Sequence, residues 1–178
     1  MSEPPPRRLL VKIGGSLLDL PNLRDRLLAL PTLLGGTCTF VVGGGDAAEL
    51  ARKFQRTHGL DDTAAHDLAV EAMRLTACFV RSLLGDAYDM VWEVWDDDIS
   101  DLPASWDVTS DSIAAHLARK TERELVLAKS VPPPRSIAVA AARGDVDRYF
   151  ETAASGLAVH WLNLRTPDPI CVRIATGA

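Results

Sequence analysis

The chain has little cysteine. Cys38, Cys78 and Cys171 are scattered, odd in number and form no CxxC pair, so they read as reduced thiols of a cytoplasmic protein. No apolar run is long enough to span a bilayer. The opening residues, MSEPPPRR, lack the apolar core of a signal peptide and read as a disordered lead-in over 1–8. There is no excess of positive charge. The formal net charge is −5, which argues against a nucleic-acid or anionic-membrane partner but leaves room for a locally positive site. The glycine clusters fit neither GxxxxGK[ST] nor GxGxxG, which argues against a Walker loop and a dinucleotide-binding oxidoreductase. His58, His116 and His160 show no metal-ligand spacing such as HExxH, and no residue is assigned to a metal. Lysine is also scarce: among many arginines stand only Lys12, Lys53, Lys120 and Lys129.

What is present is ordinary globular composition, 47% hydrophobic and 24% charged over 178 residues. That length suits one domain, expected over 9–178, with a core that needs no metal or disulfide staple. Apolar runs at 9–13, 38–42, 89–95, 124–129, 157–162 and 170–174 read as strands. Segments 21–34, 46–59, 61–85 and 108–121 have helical period and helix-end signals. The stretch 136–155 is ambiguous, with VDRYFETAA read as helical, and SVPPPRS (130–136) must be a loop. Strands alternating with helices indicate an α/β fold with a mostly parallel sheet.

Two of these junctions share a design. LVKIGGSL places Gly14, Gly15 and Ser16 after the first strand, and VVGGGDAAEL places Gly43, Gly44 and Gly45 after the second. Glycine lets backbone amides approach a ligand, and a helix start that follows carries partial positive charge. Both favour phosphate oxygens, and at the carboxyl ends of parallel strands the two turns would flank one crevice. Lys12 and Lys129 end apolar strands, where an ammonium either reaches a phosphoryl oxygen or snorkels to solvent. Lys53 and Lys120 fall on helices and read as solvated. In SWDVTSDSIAAHLARK, Asp107 and Asp111 lie four apart around Thr109 and Ser110. This is good helix-capping chemistry, with a second carboxylate left to orient a lysine or meet a nucleotide-bound Mg2+.

VKIGGSL, VVGGGDAAELAR and SWDVTSDSIAAHLA followed by LVLAK resemble, in order, the motifs of the amino acid kinase superfamily, which includes acetylglutamate, aspartate and uridylate kinases. Within it, AAHDLAVEAM (64–73), SWDVTSDSIA and VDRYF (146–150) are most similar to the short branch of furanmethanol-phosphate kinases of methanofuran synthesis. The resemblance implies a three-layer αβα sandwich that transfers the γ-phosphoryl group of ATP, with Mg2+, to a small alcohol or phosphate acceptor. It gives Lys12 the transferring phosphoryl, and Gly14, Gly15 and Ser16 the first phosphate loop. Gly43, Gly44 and Gly45 match the loop near the acceptor. Asp111 matches the aspartate that organises the catalytic lysines, and Lys129 a nucleotide-side lysine. His66, Asp107, Thr109 and Ser110 are the further substrate-binding candidates. A homo-oligomer paired through the helix at 61–84 is implied too.

The pattern departs from the superfamily after Lys129. KSVPPPRS stands where a TDVDG-like loop is usual, and no second catalytic lysine near a GMxxK motif is found. A non-catalytic protein that binds an anion or phosphorylated metabolite, or serves as a partner subunit, is therefore the alternative. His66 and Met73, two helical turns apart, read as core or as acceptor-pocket lining. Trp92 and Trp95 read as one face of a strand or as neighbours of an aromatic acceptor. Arg148 and Tyr149 are placed near the acceptor.

Overall fold

A computed structural model describes residues 6–175. Its sheet has the order β2-β1-β3-β4-β5, built from β1 (Arg7–Ile13), β2 (Gly36–Val42), β3 (Glu124–Lys129), β4 (Val159–Asn163) and β5 (Cys171–Arg173). The first four strands are parallel and β5 runs antiparallel to β4. Between β1 and β2 lies α1 (Leu23–Leu34). The hairpin α2 (Gly45–His58) and α3 (Asp62–Leu84) follows β2, then α4 (Asp96–Ile99) and α5 (Ser110–Lys120). After β3 come α6 (Ile137–Ala142) and α7 (Phe150–Ala153).

The period of two along β1 sorts its side chains between layers. Leu9, Val11 and Ile13 pack with Leu23, Leu27 and Leu30 of α1. Leu10 faces the opposite layer, with Ala114, Leu117 and Ala118 of α5. The alanines let α5 lie close on the sheet. Helix α3 belongs to both layers, with Val70 and Met73 in one cluster and Ala77, Val80 and Leu84 in the other. Its start is fixed by Asp61, whose carboxylate accepts the Ala64 N–H at 2.8 Å. The three-layer α/β sandwich expected from the motifs is the fold observed.

Three expectations need correction. Residues 89–95 are not a strand. Gly85–Met90 is a 3-10 segment, and Val91 makes a single bridge to Phe40 before α4 begins. The buried valines are Val91 and Val94, three apart, a spacing no strand face supports. The lead-in is shorter than 1–8, because Arg7 and Arg8 already pair with Gly36 and Thr37; residues 1–5 of that expectation lie outside the described residues. The first glycine turn does not open a helix. It leads into one 3-10 turn, Gly15–Leu17, and α1 starts only at Leu23.

The strand order reverses between β1 and β3. That switch point leaves a crevice at the carboxyl ends of the strands, where Lys12, Lys129 and both glycine turns lie.

Candidate active site

Lys12 pairs in register with Leu127, and Lys129 lies two residues beyond Leu127. Both lysines therefore project from the sheet face on which α5 packs. The first turn of α5 brings Asp111 between them. Its Oδ1 lies 2.9 Å from the Lys12 Nζ and 2.8 Å from the Lys129 Nζ, which also donates to Oδ2 at 2.8 Å. The Lys129 ammonium donates further to the Asp145 carbonyl at 2.6 Å and lies 5.7 Å from the centre of the Trp161 ring. Lys12, Asp111 and Lys129 are 4%, 5% and 8% exposed, so two cations and one anion share a nearly dry site. Burial alone would raise the Asp111 pKa, but Coulombic attraction from Lys12 and Lys129 outweighs it and holds the carboxyl below the usual range. Burial pushes Lys129 down to about 8, against the pull of Asp111. The site thus carries one positive charge more than it neutralises, a costly arrangement that an anion would relieve.

This cost has a pH signature. A base whose folded pKa is depressed loses its proton first in the folded chain, so stability rises as pH climbs from about 8 towards 10.5. Relative to Lys129→Met, the wild type should gain about 3 kcal/mol across that window. Urea denaturation at a series of pH values reads it, and parallel pH profiles for the two proteins would count against a buried charged Lys129.

The two glycine turns press against each other. A Cβ on Gly15 would sit 2.4 Å from Gly45 Cα and 2.6 Å from its N, and Gly45 itself has φ of +52°. A Cβ on Gly43 would meet Ser110 Oγ at 2.9 Å and Lys12 Cε at 3.3 Å, and one on Gly14 would lie 3.7 Å from Lys129 Cδ. Gly14 and Gly43 donate their N–H groups to Ala128 and Ile13 carbonyls, both at 2.9 Å, stitching each turn to the neighbouring strand. Among the described residues, the amides of Gly15, Ser16, Gly45 and Asp46 donate to no backbone acceptor. The Ser16 and Ser130 hydroxyls meet at 2.8 Å, joining the first turn to the loop after β3. Because the obstruction at Gly15 is backbone, Gly15→Ala must part the turns. It should cost about 1–3 kcal/mol and remove stabilisation by added polyphosphate, as read by thermal melting with and without tripolyphosphate.

A cavity of about 320 Å3 opens beside the turns, bounded by Gly43–Gly45 and the α2–α3 hairpin. Val70, Met73 and Ile113 give it an apolar wall, and His66, Thr109 and Ser110 also line it. Its rim is built by packing that no local pattern announces. The Arg52 guanidinium lies 4.3 Å over the Trp106 ring, and the indole N–H of Trp106 donates to Gln55 Oε1 at 2.5 Å.

Three expectations differ from what the structure shows. Asp107 does not line this cavity. It lies on an adjoining cleft with Arg148, 3.7 Å from that guanidinium, and its carbonyl accepts the Tyr149 N–H at 3.0 Å. The capping chemistry read into residues 107–111 is also supplied from elsewhere: the Thr109 side chain makes no cap hydrogen bond, and Asp147 takes the first-turn donors of α5 instead. Trp92 and Trp95 are away from the cavity; Trp92 donates to Asp98 and Trp95 stacks under Arg74. Arg52, Trp106 and Asp147 were not singled out from sequence, although VDRYF and SWDVTSDSIA contain two of them.

No family model matches the chain. Among curated proteins it is similar to the uridylate kinase of Methanoculleus marisnigri, 33% identical over 87 residues, which is 46% of this chain and 37% of that protein. It is also similar to the uridylate kinase of Pyrobaculum calidifontis, 32% identical over 78 residues, 44% of this chain and 36% of that one. The matched segments thus span little more than a third of those relatives. Among solved structures it is similar to uridylate kinase from Archaeoglobus fulgidus, with a TM-score of 0.62 and 18% identity over 94% of this chain and 91% of that one. UMP kinase from Ureaplasma parvum gives 0.60 and 15%, covering 92% of each chain. The sandwich described above is the fold of these kinases.

Proposed function

We propose that this protein is a small-molecule kinase of the amino acid kinase superfamily, moving the γ-phosphoryl group of ATP to a small alcohol or phosphate acceptor. The observation that carries the reading is Asp111 held between the buried ammoniums of Lys12 and Lys129, against two glycine turns in contact. Phosphoryl transfer needs positioning and neutralisation of charge more than a covalent partner, and this centre offers both. Lys12 meets the transferring phosphoryl. The amides after Gly14 grip the donor's phosphates, with Ser16 and Lys129 on that side. Gly43, Gly44 and Gly45 face the acceptor, and Asp111 keeps the two ammoniums apart and aimed.

The donor set fits a polyphosphate: backbone amides with no backbone acceptor and two ammoniums, bridged by the Asp111 carboxylate. Among the described residues no cluster of three His, Cys, Asp or Glu could hold a metal, so Mg2+ would ride on the donor's phosphates. When bound, it supplies charge neutralisation on those oxygens.

For the acceptor, the 320 Å3 cavity favours a compact molecule, with His66, Thr109, Ser110, Met73 and the Trp106 indole around it. A furan phosphate such as [5-(aminomethyl)furan-3-yl]methyl phosphate suits an apolar wall with an arginine at the rim, and uridylate is the competing acceptor that the relatives' names suggest. A homo-oligomer through α3 is supported by Leu75 and Phe79, which are exposed one turn apart. No helix among the described residues is long and apolar enough to cross a membrane.

The second reading is a protein that binds a phosphorylated metabolite without turnover. It is favoured by the Lys129 ammonium being already engaged by the Asp145 carbonyl and by the proline-stiffened loop that follows. Measuring ADP release with Mg-ATP against a panel of small alcohols, furan phosphates and UMP separates the two. The kinase reading expects release with at least one acceptor. Thermal stabilisation by phosphorylated compounds with no release for any of them supports binding alone.

A further inference from the structure

The carboxylate that does most for the start of α5 comes from far along the chain. Asp147 Oδ2 accepts from the Thr109 N–H at 3.0 Å, the Thr109 hydroxyl at 2.8 Å and the Ser112 N–H at 3.1 Å. Its Oδ1 accepts from the Ser112 hydroxyl. One side chain therefore satisfies four donors of a helix end that has no cap of its own. Two residues earlier, the Asp145 carbonyl accepts from Lys129 Nζ at 2.6 Å. Two residues later, the Tyr149 N–H returns to the Asp107 carbonyl. The turn 145–149 thus fastens both partners of the central ion pair, the helix that carries Asp111 and the lysine that ends β3. Asp147 itself does not line the 320 Å3 cavity.

We propose that Asp147 is a positioning residue, which seats the first turn of α5 so that the Asp111 carboxylate reaches both ammoniums at once. It acts through Asp111 and touches no reacting atom. The effect on turnover rests on the kinase reading; the effect on Lys129 does not. The Lys129 ammonium is faced by Asp111 from α5, Lys12 from β1, the Asp145 carbonyl and the Asp147 carboxylate from the turn, and the Trp161 ring from β4. Losing the clamp withdraws the two carboxylates from this set and leaves Lys12, so the ammonium becomes easier to deprotonate.

The chain's four lysines make the test direct. Selectively labelled lysine side chains are titrated by NMR in the full chain, for the wild type, Asp147→Ala, Asp147→Asn and the distant cap variant Asp61→Ala. Asp147→Ala should lower the Lys129 titration midpoint by half a pH unit or more. Asp147→Asn should shift it less, because an amide oxygen still accepts and the two hydroxyls can turn to accept from its NH2. Asp61→Ala should leave the midpoint in place. In ADP-release assays Asp147→Ala should lower kcat about 10²-fold, as misplaced catalytic groups do, with KM for the acceptor changed less than about threefold and most of kcat restored in Asp147→Asn. An unmoved midpoint in Asp147→Ala, an equal shift in Asp147→Asn, which loses the same charge but keeps the clamp, or an equal shift in Asp61→Ala overturns the proposal. If Asp147→Ala does not fold, the double variant Thr109→Val, Ser112→Ala removes two of the four donors and is read by the Lys129 midpoint alone, because Thr109 lines the cavity. A wild type that titrates as expected yet releases no ADP contradicts the kinase reading only.

Discussion

Replacing Lys12 with methionine should lower turnover about 10³-fold while leaving the fold intact. Methionine keeps most of the lysine stem in β1, where Lys12 is buried between the sheet and α5. What disappears is one ammonium at the junction of the two glycine turns. Charge-bearing groups aimed at a transition state in a dry site are each worth about 10²–10³ in rate, and a Cβ on Gly43 would meet Lys12 Cε at 3.3 Å. Stability should not suffer. Asp111 keeps Lys129 as its counter-ion, and the site passes from one excess positive charge to none. ADP release and thermal melting of the same samples read both halves. A variant with near wild-type turnover would remove Lys12 from the mechanism, and one that fails to fold would show that the ion pair with Asp111 is chiefly structural.

Asp111→Asn should have the largest effect on stability. It leaves two ammoniums buried with only neutral acceptors, and breaking a buried charge network in this way costs about 3–5 kcal/mol. For a chain of this length that is a fall in Tm of roughly 6–20 °C. The pH dependence should change with it. In the wild type the lowered Asp111 pKa contributes stability that is present above the ordinary carboxylate pKa and lost as pH falls through the folded value. The variant lacks that acid-side loss. On the alkaline side its buried Lys129 sheds its proton below the wild-type value of about 8, so the gap between the two proteins should be at its full width at pH 5 and narrower by pH 9. Denaturant titrations at pH 5, 7 and 9 test this. A gap that is constant across the series would mean that the carboxylate serves only as a hydrogen-bond acceptor.

Much of this framework was legible in the residues. The apolar runs at β1, β2 and β3 and the periodic segments at α1, α2, α3 and α5 are local signals, and the structure places them as expected. The meeting of Lys12, Asp111 and Lys129 was implied only by the resemblance; strand period and a helix start on the same sheet face account for the ion pairs physically. What could not be read depends on contacts distant in sequence. Val91 and Val94 imitated a strand by apolarity alone, and only their burial three residues apart exposes the difference. The cap of α5 seemed to lie within residues 107–111, since Asp, Thr and Ser there are good caps. The fold brings Asp147 to those donors from 35 or more positions away. Likewise Arg52 finds Trp106 only because α2 packs beside the loop before α5. The departure after Lys129 was visible as KSVPPPRS, but not that the Asp145 carbonyl would take the lysine's next hydrogen bond.

The claim on which the rest depends is that the two glycine turns and the two buried lysines form a single polyphosphate grip. Isothermal titration calorimetry of Mg-ATP, with tripolyphosphate in parallel, into the wild type, Lys12→Met and Lys129→Met tests it without knowledge of the acceptor. The account predicts that the wild type binds both and that each substitution weakens binding at least tenfold, a change of about 1.4 kcal/mol. Equal binding by all three proteins, or no binding by the wild type, would contradict it.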